Sequence, residues 1–174
     1  MINFILAQIL GAVALILVCI SYFLKNKSKF MIFQTIANFF YASAFFVVKA
    51  YVGAGLVMIS LFRCLYLYFS EKHNFKYTLH FLPIFIVLYI VTTIIFWNSP
   101  FDLMPLVSSI LFTIAYTIKN MQTMRYILII PNTILVIYNI LTTTYTSAIL
   151  DFIEVVVTIV AISKFYISNK KRVN

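Results

Sequence analysis

Seven apolar runs dominate the chain. They cover residues 3–24, 30–48, 52–70, 78–97, 103–118, 126–142 and 146–166. Short polar or charged stretches separate them, at 25–29, 49–51, 71–76, 98–102, 119–125 and 142–145. No run alternates with the period of two that barrel strands show. Each approaches the roughly 20 residues an α-helix needs to cross a bilayer core of about 30 Å. The pattern predicts an all-α membrane protein with seven transmembrane helices, and the short connections make consecutive helices antiparallel.

Composition narrows the functional class. The 174 residues are 64% hydrophobic and 10% charged, against about 45–50% and about 25% in soluble domains. That balance excludes a soluble enzyme and a disordered chain. Three Gly and four Pro exclude collagen-like or low-complexity sequence. Seven spans leave no room for a soluble domain, so residues 1–174 read as one integral membrane domain. The first 24 residues do not resemble a cleavable signal, because their positive charges follow the apolar stretch.

The net charge of +9 gives orientation. Lys25, Lys27, Lys29, Lys72, Lys76, Lys119, Arg125, Lys164, Lys170, Lys171 and Arg172 fall on one side of the predicted topology, and only Lys49 on the other. The excess places the N-terminus outside and the C-terminus in the cytoplasm. Because the charge is spread over every inner connection, it argues against nucleic acid as a partner.

A shift of 94 residues lays the first three runs over the last three without a gap. Tyr22, Lys25 and Asn26 then meet Tyr116, Lys119 and Asn120, and Asn38 meets Asn132. Tyr51, Ala54, Leu56 and Ile59 meet Tyr145, Ala148, Leu150 and Ile153. Residues 1–70 and 103–166 are expected to form two three-helix units, with 78–97 as a linker helix. Three is odd, so the linker restores orientation and both units point the same way. Parallel repeats of this kind place transporter substrate sites near the midplane between the units.

Polar residues inside the apolar runs carry the candidate chemistry, since a charge at the bilayer centre costs about 2.5–3.5 kcal/mol on insertion scales. Asn38 and Asn132 are repeat-equivalent, and Pro131 beside the second is expected to kink its helix. Arg63 lies near the middle of the third run. Glu154 lies near the middle of the seventh, with Asp151 one turn away on the same face. Ser60 is the equivalent of Glu154. Two readings stand side by side: a solute site built from these six residues, or a bundle held by Asn hydrogen bonds and an Arg63 ion pair to Glu154 or Asp151. Gln8 and Asp102 are expected at solvated outer ends, and Trp97 and the Tyr near span ends at the membrane interfaces.

The remaining residues show no catalytic pattern. Cys19 and Cys64 lie far apart in apolar runs, and His73 and His80 lack ligand spacing. Gly53-x-Gly55 is not a phosphate loop. Neither catalytic residues, a metal site nor a cofactor is expected.

Ala7-Gln8-x-x-Gly11, the basic first inner loop, Tyr51-x-Gly53-Ala54 and Ile59-x-x-x-Arg63 resemble the YgjV family of small bacterial inner membrane proteins. The resemblance covers nearly the whole chain and places Asp151 where that family is expected to carry an acidic residue. It implies a multi-pass protein of the bacterial inner membrane. The 3+1+3 plan is similar to SWEET sugar transporters, other PQ-loop-like proteins and PnuC vitamin transporters, although no Pro-Gln pair occurs in spans 1 or 5 and Pro105 aligns with Gly11. The function expected is transport of a small polar solute by alternating access between the two units. The alternative is a non-transporting scaffold, sensor or accessory subunit. The partners implied are the lipid bilayer and the solute, and a homo-oligomer is compatible with the sequence.

Overall fold

The computed structural model describes residues 2–49, 51–73, 81–97 and 99–173. Ala50, Lys76, His80, Asn98 and the first residues of the 78–97 run lie outside them, as do the side chains of Lys170, Lys171 and Arg172.

The described residues form seven α-helices and no strand. They are α1 (Ile2–Tyr22), α2 (Lys27–Val47), α3 (Tyr51–His73), α4 (Leu82–Ile95), α5 (Leu103–Thr117), α6 (Met121–Leu141) and α7 (Tyr145–Val173). A short 3-10 turn, Pro100–Asp102, leads into α5. The segments Ile5–Tyr22, Lys27–Val47, Gly53–His73, Pro100–Thr117 and Met121–Leu141 are each long and apolar enough to cross a membrane. With 14 residues, α4 is only about 21 Å long at 1.5 Å per residue.

Local chemistry sets the boundaries. The Asn26 side chain accepts from the Lys29 N–H at 3.2 Å and starts α2. The Asn120 side chain accepts from the N–H groups of Gln122, at 2.9 Å, and Thr123 and starts α6. Each satisfies donors that the first helical turn leaves unpaired. At their far ends, α2 and α6 close with matching bonds: Val48 N–H to Ala44 O and Lys49 N–H to Phe46 O, Thr142 N–H to Tyr138 O and Thr143 N–H to Ile140 O. Lys49 (φ 61°) and Thr143 (φ 59°) are the left-handed non-glycine residues among those described. Both helices have 21 residues. Their first and last residues are separated by 94 positions, as are the first residues of α3 and α7.

The helices close a ring. α1, α2 and α3 pack in chain order, as do α5, α6 and α7, while α3 meets α5 and α7 meets α1. α4 lies outside the ring, against α3 and α5. Large apolar side chains face outward, among them Ile9, Ile16 and Ile20 on α1 and Ile84, Val87 and Ile94 on α4. Polar groups are buried inside, among them Gln34, Arg63, Ser108, Asn132 and Thr158. Apolar outside and polar inside suits a hydrocarbon solvent.

Several expectations change. α6 begins at Met121 rather than 126, so Arg125 is a buried helical residue instead of a loop charge. The Asn120 cap starts the helix before the arginine, whose charge finds acceptors on α1. Pro131 lies inside α6 and does not end it. Tyr22 and Tyr116 lie near span ends but are buried, packed edge-on against Phe30 from both sides at 5.9 and 5.5 Å between ring centroids. Trp97 is exposed, as is Gln8. Asp102 is half-buried: its carboxylate accepts from the Ser99 N–H at 2.9 Å and bonds to Tyr138.

Candidate functional site

A cavity of about 560 Å³ lies within the ring. Asn38, Ser60, Arg63, Asn132, Asp151 and Glu154 all contribute to its wall. α2 and α3 bring the first three, α6 and α7 the others. Between these polar groups the wall is apolar, with Leu56, Val57, Leu135, Leu150 and Phe112. A small number of convergent polar groups in a mostly apolar cavity is the usual form of a small-molecule site.

The cavity has two unlike ends. Towards the α2–α3 and α6–α7 turns its wall reaches Thr144 and Ser147, both exposed. Towards the basic end its wall is Val18 and Tyr116, and Tyr116 packs against Phe30, which packs against Tyr22, to form an aromatic floor in which each ring is at most 3% exposed. Beneath that floor Arg125 joins α6 to the end of α1. Its Nε donates to Tyr22 O at 3.0 Å and an Nη to Leu24 O at 2.6 Å. Its guanidinium also lies over the Phe165 ring, 4.3 Å from the centroid. Arg125 thus caps carbonyls that the end of α1 leaves without helical partners. Lys27 and Glu71 form an ion pair at 3.5 Å at the same end, the one ion pair among the described residues.

Arg63 does not pair with Glu154 or Asp151, contrary to the ion-pair expectation. One Nη donates to Thr113 Oγ1 at 2.9 Å and to Ser109 O at 3.2 Å, both on α5. The guanidinium lies over the rings of Tyr116, at 5.1 Å, and Tyr89, at 5.6 Å. Its buried Nε has no hydrogen-bond partner among the described residues. The reason is topological: in a ring of six helices α3 neighbours α5 but stands opposite α7.

The carboxylates have neutral partners. Asp151 Oδ2 accepts from Asn139 Nδ2 at 2.6 Å, and Thr144 Oγ1 donates to Asn139 Oδ1 at 2.8 Å, which fixes the amide. The Tyr22 hydroxyl faces the Glu154 carboxyl and accepts from Asn132 Nδ2 at 3.2 Å. Asn38 Nδ2 donates to Gln34 O at 2.9 Å and approaches Cys64 Sγ at 3.6 Å. Ser60 Oγ shares a hydrogen bond with the Tyr89 hydroxyl at 2.8 Å and thereby ties α3 to α4.

Other site residues escaped the sequence reading: Tyr116, Tyr41 and Tyr138 also line the cavity, and Tyr22 and Arg125 lie at its basic end. Gln34, Ser109 and Asn139, which the sequence offers as cavity-lining or interhelix residues with packing preferred, line it too. The Tyr22/Tyr116 match at the 94-residue shift was the available signal. Ser108 serves packing and donates to Pro131 O at 3.2 Å.

Comparison with curated proteins and with solved structures finds no match. The model of the Imp-YgjV family, described as bacterial inner membrane proteins, matches residues 5–169. The match takes in all seven helices nearly end to end, and the chain belongs to this family of the bacterial inner membrane.

Proposed function

We propose that this multi-pass protein carries a small polar solute across the inner membrane by alternating access and performs no chemical transformation. The cavity carries this reading, because all six polar candidates meet around it. Its two unlike ends support it further: one reaches exposed residues, and the other is closed by aromatic rings and the Arg125 bonds to α1. With the N-terminus outside, the arrangement is an outward-facing state with its cytoplasmic gate shut.

The moving parts in this reading are two three-helix units, α1–α3 and α5–α7, related by an axis along the membrane normal, with α4 as the linker. The 94-residue offset in cap residues, helix bounds and left-handed turns supports such a repeat. So does the closure of the ring, since the α3–α5 and α7–α1 junctions would exchange under a two-fold rotation. Rocking at those junctions would expose the cavity to one side and then the other.

The second reading, a scaffold, sensor or accessory subunit, draws on the Asn38 and Asn132 amides, which contact neighbouring helices as structural asparagines do. It requires a closed bundle with Arg63 fully paired. The cavity and the unpartnered Arg63 Nε favour the carrier.

The test is uptake by the purified chain in liposomes against a panel of sugars, nucleosides and amino acids. Saturable uptake of at least one class is expected. Liposomes that take up none would leave the scaffold reading standing.

A further inference from the structure

We infer that the solute is a zwitterion with an apolar body, of the α-amino-acid type: Arg63 receives its carboxylate, and Asp151 and Glu154 receive its ammonium group. The inference rests on the carrier reading and deepens it.

The charges on the two sides of the cavity are opposite and do not neutralise each other. At the 94-residue shift Arg63 corresponds to Val157, Glu154 to Ser60 and Asp151 to Val57. The positive group therefore belongs only to the first unit and the negative groups only to the second. No Lys or Arg nitrogen lies within 4.0 Å of either carboxylate among the described residues. The carboxylates face an amide and a phenol, the guanidinium a hydroxyl, a carbonyl, the Cys64 sulfur and two ring faces. Such neutral partners compensate only part of the desolvation of an ion. The same guanidinium, which lines the cavity, has a buried Nε without a hydrogen-bond partner among the described residues.

Each simpler solute leaves charge unmatched. An inorganic anion would answer Arg63 and meet two carboxylates. A simple cation would answer the carboxylates and meet Arg63. A sugar would meet all three charges with none of its own. A zwitterion matches both walls, and Arg63, one residue-turn deeper than the Ser60 level occupied opposite by Glu154, sets its orientation with the carboxylate towards the floor. Leu56, Leu135 and Leu150 then accommodate an aliphatic or aromatic side chain better than a polyhydroxylated ring.

The experiment is uptake of labelled L-leucine by the full chain in liposomes, with unlabelled competitors. L-phenylalanine is expected to compete. Isoamylamine, which lacks the carboxylate, 4-methylpentanoate, which lacks the ammonium group, and glucose are expected not to. R63Q should lower leucine uptake by about tenfold or more, the effect of removing a hydrogen-bonded charge partner. D151N/E154Q should bring 4-methylpentanoate up to the level of leucine as a competitor, an effect that loss of packing would not produce. R63K, which keeps the charge, controls for misfolding of R63Q and should retain part of the uptake. Transport of glucose or a nucleoside without leucine would overturn the zwitterion and leave the carrier standing. Equal competition by the truncated analogues would also overturn it. Liposomes that transport no member of the panel would overturn both.

Discussion

Asn26 and Asn120 both start their helices with a side-chain oxygen that accepts from first-turn N–H groups, one for α2 and two for α6. Replacing a capping Asn by Ala removes that acceptor and is expected to destabilise by about 1 kcal/mol. N26A and N120A should therefore lower the melting temperature in detergent by similar amounts; a drop in one alone would show that the two helix starts are not equivalent. The polar candidates were legible in the sequence for an energetic reason: a polar group at membrane depth is expensive, so each stands out against apolar neighbours. Their pairing was not legible. Arg63 had two acids as plausible partners, and only the ring order directs it to Ser109 and Thr113 instead. Tyrosine is ambiguous in another way. Its amphipathic ring suits a membrane interface or a buried hydrogen bond equally, so Tyr22 and Tyr116 read as surface anchors while they are buried at the basic end of the bundle.

Helix existence followed from the apolar runs, whereas helix ends depended on caps. The α6 start shows the difference: hydropathy breaks at Arg125, but Asn120 begins the helix a turn earlier. Arg125 then serves two helices, as a residue of α6 and as the terminal donor for α1. R125A leaves Tyr22 O and Leu24 O without that donor and is expected to destabilise by about 1.5–3 kcal/mol, the range for hydrogen bonds to a charged group. R125K supplies a cation without the planar fork that reaches both carbonyls, so it should recover only part of the loss. Thermal unfolding in detergent measures both; an R125A melting temperature equal to that of the unsubstituted chain would remove the interhelix tie from the account.

The charge count and the cavity together predict a sidedness for the whole molecule. A cysteine at Ser60, with Cys19 and Cys64 replaced by Ser, should react with a membrane-impermeant maleimide in right-side-out vesicles and be protected in inverted ones. In inverted vesicles, R125A should raise its reactivity, because the floor loses its lock. Labelling of S60C only in inverted vesicles would reverse the proposed orientation. The sequence carried the residue matches at the 94-residue shift, yet not how the helices close into a ring, because lipid-facing and helix-facing apolar residues look alike in hydropathy. It also left the length of α4 open, since apolar character runs on past the helix.

The matching corners at Lys49 and Thr143 have a mechanical consequence. A left-handed residue with a side chain sits in a narrow energy well, so neither corner is a compliant joint. α2 with α3 and α6 with α7 behave as stiff clips that keep their angle, and any large displacement falls on the two seams, α3 against α5 and α7 against α1. The two seams are held differently: α4 straddles α3 and α5 and is pinned by the Ser60–Tyr89 bond, whereas the α7–α1 seam is held at its basic end by Arg125, which bonds the end of α1 while lying over Phe165 of α7. The molecule should thus swing like a book, with its spine at α3–α5 and Arg125 as the clasp on its α7–α1 edge.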